Sequence, residues 1–355
     1  MFEIETIRNI YAKLGDEQSK KIFNCRLLYS LTGNSALMEP MIAHVRNKVF
    51  EDKVFQKLYE RLNGVDGHKY IFGRGVYGKQ LYYLMPKVEW TGFIDNSATE
   101  GDMQFDLPVI RPSDIADTKN AIIVISSYAF KEEMENQMAE LGIPRENVVD
   151  GTIVYELTEG KQYFDLEYID YANLTTFLDG GSYDGMTALQ FTKISSKANK
   201  VWCFEADSRN IFKIEQRFVN MNSTVDYEII KKGIWNKTTT LVFVGNGSGE
   251  SFIAESLDKT YVDSEMIDVV SIDEMIGDNK VDMIKFDIEG SELKGLEGTR
   301  NLIHKQQPVL AVCVYHKPED IIEIPKYILE IAGSYKLYLR HYSFAANETV
   351  LYALP

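Results

Sequence analysis

The chain has 355 residues, which gives room for two compact domains and a helical appendage and excludes a single small module. Its 38 basic and 53 acidic side chains leave a net charge of −15, and with 45% apolar and 26% charged residues the composition is that of a folded globular protein, not of a disordered chain. So acidic a chain repels phosphate polyanions, and no local basic strip relieves the repulsion, so nucleic acid is excluded as a partner.

The start, Met1-Phe2-Glu3-Ile4-Glu5, carries acids where a secretory leader carries positive charge. No apolar run reaches the roughly 18 residues of a membrane span, so a cytoplasmic protein is expected. From Phe2 to about Lys53 apolar residues recur three and four apart (Ile4, Ile7, Ile10, Tyr11, Leu14, then Ile22, Phe23, Leu27, Leu28, Leu31), with breaks at Gly15 and Gly33. The spacing predicts a helical segment over residues 1–60 whose apolar stripe docks on the rest of the protein, because its polar faces mix Asp and Glu with Lys.

A small Rossmann-like α/β domain is expected over residues 61–160. Tyr70-Ile71-Phe72 leads through Gly73-Arg74-Gly75-Val76-Tyr77-Gly78 into a helix ending at Leu84; strands follow near Trp90–Asp95, Leu107–Ile110, Ala121–Ser126 and Val148-Val149, with a helix over Phe130–Leu141. Gly73, Gly75 and Gly78 after a strand, with Asp95 about 20 residues on, satisfy the dinucleotide fingerprint and mark a second candidate nucleotide site. Against it, Arg74 and Tyr77 are bulky inside the turn, and Asn96-Ser97 favours a turn after Asp95. The stretch resembles the amino-terminal domains of some sugar-modifying enzymes in its Phe93-Ile94-Asp95-Asn96 and Leu107-Pro108-Val109-Ile110; a bound nucleotide or nucleotide sugar and a purely structural role both stay open.

From Thr176 a second alternation begins. Strands are expected at Phe177–Asp179, Val201–Glu205, Glu228–Lys231, Leu241–Val244, Met283–Asp287, Val309–Tyr315, Lys336–His341 and Thr349–Ala353, with helices in most of the gaps. The last two are joined by a short turn, so a parallel sheet finished by an antiparallel hairpin is implied.

Chemistry concentrates at the ends of these strands. In Phe177-Leu178-Asp179-Gly180-Gly181-Ser182-Tyr183-Asp184-Gly185 an acid and glycines stand between strand and helix, so a ligand can approach the backbone at Gly181 and Gly185 while Asp179 accepts from an ammonium group. At the end of the next strand, Glu205 in Phe204-Glu205-Ala206-Asp207 is placed to take both hydroxyls of a ribose. The run Ile284-Lys285-Phe286-Asp287-Ile288-Glu289-Gly290 ends a third strand, and Asp287 and Glu289 would face the same crevice as Gly181 and Glu205. An acidic helix start favoured by the macrodipole explains Glu289 and Glu292 well and Asp287 less well.

With Glu292, the Leu296-Glu297-Gly298 turn, and Val314-Tyr315-His316-Lys317-Pro318-Glu319-Asp320 followed by Ile324-Pro325, these pieces resemble the FkbM family of S-adenosylmethionine-dependent methyltransferases over about residues 170–355. Tyr183 stands where many methyltransferases of this fold have another glycine. The resemblance implies a methyltransferase domain over residues 165–355 with a class I Rossmann-like sheet, seven strands with the last reversed, and S-adenosyl-L-methionine across its carboxyl edge. It implies a cofactor site of Asp179, Gly180, Gly181, Ser182 and Gly185 at the methionine end, Glu205 and Ala206 at the ribose, and Gly233, Ile234 and Trp235 bordering the adenine. Trp235 either stacks on the base or is a core aromatic beside the Thr240–Phe243 strand.

Methyl transfer from a sulfonium is an in-line displacement that asks the protein to position the acceptor and exclude water. A neutral hydroxyl also benefits from a base: Asp287 is the first candidate and His316 the second, with a structural role for His316 as the competing reading. Glu289 and Ser251 are candidates on the substrate side, where Gly245–Phe252 is either a lid or a loose hairpin end. Asp287 and Glu289 could also share a divalent metal with a substrate diol, but the plain acidity of the stretch accounts for them and no metal site is assigned. Cys25, Cys203 and Cys313, odd in number and set among apolar neighbours, are expected as reduced core residues. The expected activity is O-methylation of a hydroxyl on a sugar, glycan or polyketide-like small molecule, with room for a homodimer. The rival is a nucleotide-sugar or NAD enzyme working through the middle domain, or a non-catalytic nucleotide sensor.

Overall fold

The computed structural model describes residues 4–219, 225–244, 252–254 and 264–355. The chain divides into two compact units, Met1–Met41 with Gln162–Pro355, and Ile42–Lys161. The helical segment expected over 1–60 is thus shared out: helices Ile4–Lys13 and Glu17–Thr32 belong to the larger unit and helix Lys53–Gly64 to the smaller.

The larger unit is built on a seven-stranded sheet of β1 (Thr176–Gly180), β2 (Lys200–Phe204), β3 (Asp226–Ile230), β4 (Met283–Phe286), β5 (Val309–Cys313), β6 (Lys336–His341) and β7 (Thr349–Leu354). Their order is β6-β7-β5-β4-β1-β2-β3, parallel except for β7, which runs antiparallel between β5 and β6. This is the class I methyltransferase Rossmann-like sheet with its last strand reversed. The central strands β1 and β4 are buried along their whole length, as strands covered on both faces must be. One core cluster joins Phe177 and Phe191, stacked at 4.9 Å, to Phe164, Cys313 and Tyr352. All three cysteines are buried and free.

Three of the parallel strands stop shortly before polar residues: β2 before Glu205, β4 before Asp287, and β5 two residues before Tyr315 and His316. These side chains therefore leave from loops at one carboxyl edge, where ligands of open α/β sheets bind.

Leu241–Val244 was expected in the parallel sheet and lies elsewhere. Strands Thr239–Val244, Ser264–Val270, Gly233–Ile234 and Phe252–Ala254 form a separate four-stranded sheet, in which Thr239–Val244 runs antiparallel to Ser264–Val270. Its register sets Leu241 opposite Ile267 and Phe243 opposite Glu265, a pairing that only the unforeseen strand Ser264–Val270 makes available.

In the smaller unit six strands run in the order Met103–Gln104, Leu107–Ile110, Gly92–Ile94, His68–Phe72, Ala121–Ile125 and Val148–Asp150. All pair in parallel except Met103–Gln104, in the manner of a doubly wound sheet. Among the described residues no helix is long and apolar enough to cross a membrane.

Candidate functional site

The turn after β1 is shaped by what it cannot hold. Gly181 has φ +75°, and a Cβ there would stand 1.9 Å from the carbonyl oxygen of Asp287, so the backbones of the β1 and β4 loops touch at a position only glycine fills. Gly180 ends β1 fully inside the core against Phe286 and Ile234, so its missing side chain serves packing. Asp179 is fully buried. The ammonium that faces it belongs to the chain: Lys285 Nζ lies 3.1 Å from Asp179 and donates to the Gly181 carbonyl at 2.6 Å. Burial, partly offset by Lys285, raises the Asp179 carboxyl above its ordinary value. Burial works against the charge of Lys285, but Asp179 and Asp287 overcome it and raise its pKa, so the amine stays protonated.

Across the turn, Glu205 accepts from the Tyr183 and Asp207 backbone N–H groups, both at 2.8 Å, which ties the turn after β1 to the end of β2. Burial pushes the Glu205 carboxyl up, against those two hydrogen bonds. Ser182 Oγ donates to the Asp179 carbonyl, and Gly185, with φ +78°, opens helix Met186–Ile194.

Beyond β4 the acids gather around one imidazole. Nε2 of His316 lies 3.3 Å from Glu289 and 3.5 Å from Asp287, and Nδ1 lies 2.9 Å from Glu292. Glu292 is fully buried, where its Oε1 accepts from the Ile288 N–H at 2.9 Å. Glu289 takes a left-handed φ of +54°, a strained conformation for a side-chain-bearing residue, and this turns the chain at the cluster. Burial works to lower the His316 pKa, but Glu289, Glu292 and Asp287 raise it to about 11. The ring is thus held among three carboxylates, Glu289, Asp287 and Glu292. For Asp287 burial pushes the other way, yet Lys285, His316 and a hydrogen bond from Tyr163 hold its carboxyl below the usual range. Burial outweighs His316 at Glu289, whose carboxyl is raised.

Asp287 is also gripped from behind. Tyr163 donates to its Oδ2 at 2.9 Å and Tyr315 to its Oδ1 at 3.2 Å. Gln162 Nε2 donates to Tyr163 Oη and to Glu348, linking this grip to the start of β7.

This edge is where the comparisons fall. The family model of the methyltransferase FkbM domain matches residues 179–341. The match runs from Asp179 in β1 to His341, the last residue of β6. No curated protein sequence matches the chain. Among solved structures, the chain is similar to methyltransferase FkbM from Methylobacillus flagellatus KT, with 19% identity, 89% of this chain and 99% of that one covered, and a TM-score of 0.48. It is also similar to Aeropyrum pernix fibrillarin in complex with S-adenosyl-L-methionine (11% identity, 53% and 70% covered, TM-score 0.34). A third likeness is the Bacillus cereus O-methyltransferase in complex with SAH (12% identity, 64% and 92% covered, TM-score 0.33).

Within the FkbM domain Asp179, Gly181, Ser182, Glu205, Asp287, Glu289 and His316 share one carboxyl edge. Trp235 is buried in a separate cluster with Phe243, Ile267 and Val269, against which Ala206 packs, and so occupies the core-aromatic position that competed with base stacking. Gly233 and Ile234 pair with Val269 and Val270. Ser251 and the loop residues 245–251 lie outside the described residues. Tyr163 and Glu348 were missed by sequence reasoning and fall outside the FkbM match; Lys285 and Glu292 were visible in the motif without a role. In the smaller unit, Gly73 and Gly75 lie in the turn after His68–Phe72 and Gly78 lies inside helix Val76–Leu84, with Asp95 just beyond Gly92–Ile94. Asp95 there accepts from the Arg74 N–H at 3.3 Å and from the N–H and hydroxyl of Ser97 at 2.9 and 2.6 Å, so its oxygens are engaged by their own turn.

Proposed function

We propose that this methyltransferase uses S-adenosylmethionine to O-methylate a hydroxyl on a sugar, glycan or polyketide-like small molecule. The observation that carries the reading is the buried Asp179 carboxylate, held 3.1 Å from Lys285 Nζ beneath the Gly181 turn and one strand from Asp287. A charged pair beneath a glycine turn at the carboxyl edge fits the polar end of a cofactor, and Glu205 at the end of β2 fits a ribose. S-adenosylmethionine, when bound, supplies a methyl group on a positively charged sulfur.

The residues of the chain do the rest. Asp179 and Gly181 bind the methionine end, with Lys285 holding the turn in place; Glu205 binds the ribose. Asp287, kept ionised by Lys285 against its burial, accepts the hydrogen bond of the acceptor hydroxyl and takes its proton on a carboxylate oxygen. Tyr163 and Tyr315 fix that carboxylate in one orientation. Glu289 faces the acceptor.

Calorimetry with S-adenosylmethionine, together with transfer of a labelled methyl group to a panel of sugars and glycans, tests the reading. Asp287→Asn is expected to lower turnover by about 10²–10⁴-fold while cofactor affinity stays within a few-fold. Absence of S-adenosylmethionine binding to the wild-type chain overturns the function. Near-normal turnover of the variant overturns the role of Asp287.

A further inference from the structure

We propose that Asp287, Glu289 and His316 form a binding site for one divalent cation of the manganese or magnesium type, open toward the acceptor so that two neighbouring oxygens of a diol can complete its coordination. The inference rests on the reading of this crevice as the acceptor side and narrows the acceptor to molecules with vicinal hydroxyls.

Each of the three residues offers one ligand atom, and these atoms lie within 4.8 Å of one another. The imidazole nitrogen is 3.3 and 3.5 Å from the two carboxylates. Ligand atoms bonded to one cation at about 2.1 Å and at right angles stand about 3 Å apart, so small inward shifts close the set. A cluster of acids alone would not point to a metal. Here the imidazole does: both ring nitrogens of His316 are shielded from solvent, neither makes a well-angled hydrogen bond, and Nε2 is aimed between Glu289 and Asp287.

The support behind the ligands is the kind that metal-binding imidazoles carry. Glu292, with no exposed surface, sits 2.9 Å from Nδ1, so a carboxylate fixes the ring on the side away from the proposed cation. Tyr163 and Tyr315 orient Asp287 in the same way. Metal ligands must be deprotonated, so the cation takes the place that an imidazole proton holds between the acids. Two carboxylate oxygens and one nitrogen suit manganese or magnesium better than a thiolate-seeking ion, and three protein ligands leave coordination positions open. Glu289 keeps 32% of its side chain exposed, which places the open side toward solvent and substrate.

The test titrates Mn²⁺ into the chelator-treated full chain, reading heat and the electron-spin signal of the bound ion. One Mn²⁺ per chain is expected, with a nitrogen coupling in the pulsed spectrum from the imidazole. Glu289→Gln, a near-isosteric change at a part-exposed position, is expected to weaken Mn²⁺ binding tenfold or more with an unchanged circular dichroism spectrum; His316→Gln is expected to abolish the nitrogen coupling. No Mn²⁺ bound to the wild-type chain, or binding that is unchanged in Glu289→Gln and lacks nitrogen coupling, overturns the site. S-adenosylmethionine is titrated separately into the chelated protein. If it binds and Mn²⁺ does not, the cation site falls and the methyltransferase reading stands; if Mn²⁺ binds and the cofactor does not, the reverse holds.

Discussion

At Gly181 two backbones compete for one space. Adding a single methyl group there would meet the Asp287 carbonyl at 1.9 Å in a conformation that side chains seldom adopt, so Gly181→Ala has to push the β1 turn away from the end of β4. That movement would also pull the Gly181 carbonyl from Lys285. The expected result is a loss of S-adenosylmethionine affinity of at least tenfold in calorimetry, with a lowered melting temperature. Gly33→Ala is the matched control: it too has positive φ, at +67°, but nothing lies within 4 Å of the added carbon, so it should cost about 1 kcal/mol and leave cofactor affinity alone. Equal effects of the two changes on affinity would refute the close-approach argument. Single residues of this kind are legible in sequence because an acid or a glycine at a strand end has few uses. Tyr163 is not: its hydroxyl reaches Asp287 across 124 residues, from a stretch with neither helical nor strand periodicity. Lys285 was legible only as an oddity inside an apolar strand, since its partner in β1 is set by register and by nothing local.

Elements were recognisable where a short apolar run stops at polar or glycine residues, which holds for β1, β2, β4 and β5. The four-stranded sheet shows where such reading stops. Thr239–Val244 has the composition of a strand, but the choice between a parallel and an antiparallel neighbour depends on Ser264–Val270, whose alternating pattern was too weak to stand out. Pairing of β1 with β4 has a side-chain fastener of its own. Asp282, just before β4, accepts from the Thr175 N–H at 2.7 Å, the Thr175 hydroxyl at 2.6 Å and the Thr176 N–H at 3.2 Å, and its own N–H donates to the Thr176 hydroxyl at 2.8 Å. Burial tends to raise its carboxyl, but Lys280 and Thr175 outweigh it and hold the folded pKa below the ordinary value of 3.8. A carboxyl lowered on folding stabilises the protein above its unfolded pKa, and that contribution fades as pH falls through the folded value. Asp282→Asn should therefore cost about 1–3 kcal/mol at neutral pH, and the gap to wild type should narrow as the pH drops below about 4. Urea unfolding between pH 7 and pH 3 checks this; a gap that stays constant with pH would show that the charge plays no part.

At the scale of the larger unit, the first forty-one residues are part of the methyltransferase architecture rather than an appendage to it. β6 is the edge of the seven-stranded sheet, and an open edge exposes a row of unpaired backbone groups. The amino-terminal segment covers it. Leu14 bridges Leu337, Gly15 N–H donates to the Leu337 carbonyl at 2.8 Å, and Ser19 Oγ accepts from the Leu339 N–H at 2.9 Å. Asp16 caps helix Glu17–Thr32 through the Ser19 N–H and also pairs with Arg340 of β6 at 2.8 Å, so one carboxylate starts the helix and fastens it. Ile10, Ile22 and Phe23 are buried beneath, and the two helices pack on helix Asp320–Ile331 as well as on β6. None of this could be read locally, because helix and strand are joined by contacts some 320 residues apart. Deleting residues 1–41 should uncover both the β6 edge and the apolar face of that helix. The expected outcome is a markedly lower melting temperature and concentration-dependent association in light scattering, relative to the full chain. Asp16→Ala should reproduce a part of the loss, about 1–2 kcal/mol, by removing the cap and the ion pair while leaving the buried apolar residues in place. A truncated chain that stays monodisperse and melts with the full-length protein would mean that the edge needs no cover, and that the amino-terminal helices serve some purpose other than stability.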